Sequence, residues 1–87
     1  MAYNNNNLLK TIVEVQTVYL FFQGRGIAAK TIYERVIEPG YRITRRTLSN
    51  YLNTPAKREL RRVIADQELD KIIAQANDRA KQINPFK

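Results

Sequence analysis

From Leu8 onward the apolar residues Leu8, Ile12, Val15, Tyr19 and Phe22 recur at intervals of four, three, four and three. That spacing follows one face of a helix, and Leu9, Val13 and Leu20 widen the stripe. The pattern predicts a first helix to about Gln23, with one asparagine of the run Asn4–Asn7 as its N-cap. Lys10, Glu14 and Thr17 fall on the polar arc. Phe21 falls beside them, so its ring is either covered by another part of the chain or open to a partner. Gly24-Arg25-Gly26 stops the helix, because glycine takes the left-handed backbone of a C-cap without a steric penalty.

A second helix is expected from about Ala28 to Ile37, with Ala29, Ile32, Tyr33, Val36 and Ile37 inward and Glu38-Pro39-Gly40 as its end. Thr44 is a suitable N-cap for a third helix running to about Asn53. On that helix Leu48, Tyr51 and Leu52 point inward, while Arg45, Arg46, Ser49, Asn50 and Asn53 lie opposite or on the flanks. Asn53-Thr54-Pro55 is the next break, with Thr54 as N-cap and Pro55 at the first helical position. Beyond it, Leu60, Val63 and Ile64 mark one face, and Leu69, Ile72, Ile73, Ala76, Ala80 and Ile83 mark another. Asp66, Glu68 and Asp70 between them have the acidic character of a new helix start. Either a short fourth helix and a fifth follow, or one helix changes face near residues 65–67, and Asn84-Pro85 ends the segment. The expectation is an all-α fold: a small domain of four to five helices with a helix-turn-helix core and a C-terminal amphipathic helix.

Charge adds the functional clue. The formal net charge is +7, and its location matters more than its size. Residues 24–62 carry ten bases against Glu34, Glu38 and Glu59, whereas the charges on either side cancel. A positive field confined to one segment suits a polyanion-binding module. The chain has neither histidine nor cysteine, which removes the commonest general base, the thiol nucleophile and the usual zinc ligands, so it is read as a protein without catalytic residues, cofactor or metal. No small-molecule ligand is evident. The apolar stretch near the N-terminus is too short and too charged for a membrane span. The expected location is the cytoplasm, associated with the nucleoid, or a virion if the protein is a phage component.

Two short helices around a tight glycine-containing turn form the core of a helix-turn-helix, in which the first braces the second and the second enters the major groove. Here TIYERVI at 31–37 is the bracing piece and TRRTLSNYLN at 44–53 the presenting one. Arginine reads guanine through paired hydrogen bonds to O6 and N7, and asparagine reads adenine in the same way. Arg45, Arg46 and Asn50 therefore carry suitable chemistry for base reading. Lys57, Arg58, Arg61 and Arg62 lie on the solvent side of the next helix and are assigned to phosphate contacts, which position the protein without choosing sequence. Against that stands a plainly solvated face, with Glu59 pairing with Arg58 or Arg62. Tyr33 and Tyr51 read as core residues, and Tyr41 either stacks on a base or sugar or staples the turn to the core.

TIYERV and ITRRTLSNYLN together resemble the DNA-binding headpiece of the lac-repressor family, over about 23 residues. The resemblance implies a helix-turn-helix that reads an operator in duplex DNA. It places Thr44 at the N-cap, Thr47 and Ser49 toward phosphates, and Arg45, Arg46 and Asn50 at base-reading positions. Ser49, which shares the outward face with Asn50, is also counted among the base readers. Arg42, Thr44, Thr47 and Asn53 join the phosphate set. The turn EPGYRI is two residues longer than the family pattern, and the family's hinge and sugar-binding domain have no counterpart. The chain also resembles short helix-turn-helix proteins of gut bacteria and their phages.

The division expected is a DNA-binding domain at 1–65 and a C-terminal helix and tail at 66–87. That helix either braces the core or pairs with a second copy, and a homodimer through 67–83 is the favoured reading, since operator readers commonly work as dimers. The functional expectation is a small bacterial or phage transcriptional regulator binding double-stranded DNA. The rival is a phage structural, assembly or packaging accessory protein that uses the same basic surface for nucleic acid or an acidic protein partner.

Overall fold

The computed structural model describes residues 6–83, and among them there are helices and turns but no strand. Helix α1 is Asn6–Gln23. Helix α2 covers 29–41 in three continuous pieces: an α-turn at Ala29–Ile32, π-helical winding at Tyr33–Ile37, and a last α-turn at Glu38–Tyr41. Helices α3, α4 and α5 are Arg45–Leu52, Ala56–Arg61 and Asp66–Lys81. The all-α class is as expected, and of the two alternatives for the last segment the structure shows two separate helices, α4 and α5. Any cap in the Asn4–Asn7 run, and the Asn84-Pro85 stop, lie outside the described residues.

Helix α1 is the hub. Leu9, Ile12, Val13, Val15, Thr17, Val18, Tyr19 and Phe22 are all buried, so the helix is covered around most of its circumference. Around its C-terminal half, Val15, Val18, Tyr19 and Phe22 meet Ile32, Val36 and Ile37 of α2, Leu48 of α3, and Ala76 and Ala80 of α5. Around its N-terminal half, Leu9, Ile12 and Val13 meet Ala56 and Leu60 of α4 and Leu69 of α5. Each fully buried aliphatic side chain stabilises the fold by about 1.5–3 kcal/mol relative to exposure.

This central position corrects two placements along α1. Thr17, expected on the polar arc, is buried, and its hydroxyl is satisfied by donating to the Val13 carbonyl at 2.8 Å. Leu20, expected in the inward stripe, is 53% exposed. Periodicity gives the angle of a residue around the helix, but not where the neighbouring helix ends.

The end of α1 is a Schellman motif. Ile27 N–H bonds the Phe22 carbonyl at 3.3 Å and Gly26 N–H bonds that of Gln23 at 3.0 Å, with Gly26 left-handed at φ 82°.

Glu38-Pro39-Gly40 does not end α2. Proline has no N–H, and its ring collides with the carbonyl four residues earlier in a regular α-helix. The π-winding just before it, in which Glu38 N–H reaches back five residues to the Tyr33 carbonyl, widens the helix so that it continues to Tyr41. The stop comes at Arg42, which takes the left-handed conformation at φ 54° and closes onto the Glu38 carbonyl at 2.9 Å. The connection to α3 is therefore the three residues 42–44.

Two further side chains set the angle of α3. Tyr33 donates its hydroxyl to the Ile43 carbonyl at 2.9 Å, tying the turn to α2. Gln16 of α1 donates its amide to the carbonyls of Tyr51 at 2.6 Å and Thr54 at 2.8 Å, holding the C-terminal end of α3 and the next turn. Thr54 is not the cap of α4. Its hydroxyl turns back to the Asn50 carbonyl at 2.7 Å, and Pro55 occupies the cap position in an inverse γ-turn closed by Ala56 N–H to the Thr54 carbonyl at 2.8 Å.

Helix α5 packs back on α1. Leu69, Ala76 and Ala80 are buried there, and Lys10–Glu68 at 3.2 Å and Glu14–Arg79 at 2.7 Å join the two helices. Within the single chain this helix braces α1. Among the described residues no helix is long and apolar enough to cross a membrane.

Candidate nucleic-acid interface

Helix α3 is short, and its orientation rests on few contacts. Thr44 caps it by accepting the Thr47 N–H at 3.1 Å, and Leu48 is its one buried side chain, with Tyr51 and Leu52 half-buried beside it. This leaves Arg46, Ser49, Asn50 and Asn53 exposed at spacings that form one outward stripe. Arg42, exposed at the left-handed corner, precedes the helix in the connection 42–44. Neither Arg42 nor Arg46 makes an ion pair among the described residues.

Arg45 is differently placed. Its guanidinium lies 3.2 Å from a Glu34 carboxylate oxygen and 5.4 Å from the centre of the Tyr33 ring, so α2 holds it. Both partners of that pair are largely solvated, which makes it weak and displaceable. Thr44 and Thr47 are also engaged: the Thr44 hydroxyl donates to that of Thr47 at 3.0 Å while it caps the helix. The Thr44 proton is thus taken up by Thr47, whereas the Thr47 hydroxyl only accepts there and keeps its own proton to donate to an acceptor such as a phosphate oxygen.

On α4, Arg58, Arg61 and Arg62 are exposed and Lys57 is half-buried. Glu59 pairs with none of them. Of the ten bases between residues 24 and 62, Arg45 alone forms an ion pair among the described residues, and Arg25 stacks its guanidinium 4.6 Å from the centre of the half-buried Phe21 ring. Electroneutrality for the others must come from solvent ions or a ligand.

Two depressions adjoin this surface. A recess of about 220 Å³ brings Lys30 and Tyr33 of α2 together with Arg45, Ser49 and Leu52 of α3. Lys30 was absent from the sequence-based set. Its sign was visible in the charge count, but its nearness to Ser49 depends on how α2 crosses α3. A larger groove of about 670 Å³ runs between Leu20 and Gln23 of α1 and Lys57, Arg58 and Arg61 of α4, and Tyr19 and Leu52 line both depressions.

The tyrosines of α2 serve the scaffold. The Tyr41 hydroxyl donates to Glu14 at 2.5 Å, and the Arg79 guanidinium lies 5.0 Å from the centre of its ring. Burial, then the hydrogen bond to Glu14 and its charge, holds the Tyr41 hydroxyl well above its ordinary range. The Tyr33 hydroxyl is also raised, first by desolvation and then by the Glu38 carboxylate. Tyr41 is thus a staple between α2, α1 and α5. Among the described residues no cluster of three carboxylates could hold a metal ion. Compared with known proteins, the chain matches no family model, no curated protein and no solved structure.

Proposed function

We propose that the protein binds double-stranded DNA, with α3 in the major groove, as a small transcriptional regulator of a bacterium or phage. The observation that supports this most is the exposed stripe of Arg46, Ser49, Asn50 and Asn53 on a helix held from behind by Leu48, Tyr33 and Gln16. Two bidentate readers, Arg46 and Asn50, stand one turn apart on a braced helix, and among the described residues neither side chain has a partner in the fold. Arg45 is a conditional reader, since it must leave Glu34 to reach a base. Arg42, Lys30, Lys57, Arg58, Arg61 and Arg62 supply the phosphate-directed charge around the stripe.

Selection from a random duplex library tests this reading. The expected result is an enriched motif, for which Arg46→Ala costs about 1–3 kcal/mol while binding to random duplex changes little. Arg61→Ala should weaken both alike and flatten the slope of log K against log salt by about 0.9. Duplex binding without any enriched motif would remove the regulator and favour a packaging or assembly role. No duplex binding at low salt would remove both.

A further inference from the structure

We infer that the groove between α1 and the α3–α4 corner docks an acidic amphipathic helix of a partner protein. Along α1, Leu9, Val13, Gln16 and Leu20 fall at i, i+4, i+7 and i+11 and so form one continuous stripe. Helix α4 covers the first part of it, where Leu9 and Val13 pack with Ala56 and Leu60. Gln16 follows and anchors the corner. Leu20 comes next, 53% exposed, at a place where none of the described residues covers it. The uncovered end of the stripe is a wall of the 670 Å³ groove, with Leu52 and Pro55 opposite and Lys57, Arg58 and Arg61 at its rim.

The chemistry of this groove selects among ligands. Phosphates would use the bases but gain nothing from Leu20, Leu52 and Pro55, whose exposure then has no return. A neutral apolar segment would fill the floor and leave three unpaired bases at the edge. An amphipathic helix with leucines on one face and carboxylates along its flanks satisfies both, in the helix-in-groove mode. Lys57, Arg58 and Arg61 are shared with the proposed phosphate contacts, so an acidic helix and duplex DNA compete for this rim. The two readings separate at Leu20, which is not part of the α3 stripe, and at Arg46, which does not line the groove.

The probe is a synthetic peptide of about four helical turns, with leucines at i, i+4, i+7 and i+11 and glutamates on the flanks, followed by fluorescence anisotropy. Saturable binding is expected, weakened about tenfold by Leu20→Ser and severalfold by the double variant Arg58→Ala with Arg61→Ala, and unchanged by Arg46→Ala. Leu20 is exposed, so Leu20→Ser should keep the helical circular dichroism and melting temperature of the parent. Three results would overturn the inference. Equal binding of a polyglutamate peptide without leucines would reduce the groove to an anion surface. A loss of duplex affinity in Leu20→Ser matching the loss of peptide affinity would give the groove to DNA. Concentration-dependent self-association that disappears in Leu20→Ser, in sedimentation of the full chain, would assign it to a second copy.

Discussion

The seam between α1 and α5 and the corner formed by α3 and α4 treat charge in opposite ways. In the seam, opposite signs meet: Lys10 with Glu68, and Glu14 with both Arg79 and the Tyr41 hydroxyl. In the corner, residues 42–62 place seven bases around the single acid Glu59, and among the described residues only Arg45 finds a carboxylate, on α2. A helix that must stay closed on its neighbour gains from complementary charges at partly buried positions. A surface of like charges gains nothing from folding, and repulsion slightly opposes it. The seam's charges therefore serve the fold, whereas those of the corner are left to solvent and its ions.

The comparison is most exposed to failure at Glu14, which holds partners from two other helices. Glu14→Ala leaves the part-buried Tyr41 hydroxyl without its acceptor and Arg79 without its counter-ion. A hydrogen bond to a charged group contributes about 1.5–3 kcal/mol, and the half-exposed Arg79 pair adds at most about 1 kcal/mol. Urea denaturation should show a loss of about 2–3 kcal/mol with an unchanged m-value. A loss below about 0.5 kcal/mol would mean that the seam is held by Leu69, Ala76 and Ala80 alone.

A smaller effect should appear at alkaline pH. The Tyr41 hydroxyl keeps its proton in the folded chain at pH values where an unfolded tyrosine, titrating near pH 10, loses it. Above about pH 10 the unfolded state binds fewer protons than the folded one, so stability must fall as pH rises. The contribution is complete below that range. Tyr41→Phe removes the hydroxyl, so the gap in stability between parent and variant should narrow from pH 8 to about pH 11, as read by denaturation at each pH. A gap that stays constant would mean that the hydroxyl is solvated and the staple is not formed.

These two residues also mark where sequence reading stopped. Helix positions were legible because they depend on neighbours: the period of α1, the glycine at its end, the Thr44 cap and the acidic start of α5 are all local signals. Pro39 misled because a lone proline reads as a stop, and only the π-winding around Tyr33–Ile37 lets the helix pass it. Thr54 misled because the same hydroxyl that could cap forward can also bond backward to Asn50. For Tyr41 the staple was one of two readings, but its partners, like the pairing of Glu14 with Arg79 and the reach of Gln16, were hidden for another reason. Glu14 and Arg79 are 65 residues apart, and no local pattern announces that they meet. The candidate interface divides in the same way: the outward stripe of α3 follows from its own period, whereas the hold of Glu34 on Arg45 and the nearness of Lys30 depend on the crossing of α2 and α3.

The smallest effect carries the sharpest side of the comparison. Arg58 and Arg61 are exposed, make no ion pair, and stand among bases of the same sign. Replacing either with alanine removes a repulsive neighbour and no contact that the fold uses. The change in stability should stay within about 0.5 kcal/mol. Its sign should favour the variant at low salt and vanish near 1 M, where screening acts within about 3 Å. Thermal melts of Arg58→Ala and Arg61→Ala at two salt concentrations would show this. A salt-independent loss above about 1 kcal/mol would make these arginines part of the scaffold and dissolve the distinction between seam and corner. A neutral result, together with weakened anion binding, would leave the corner's charge with no role except toward a partner.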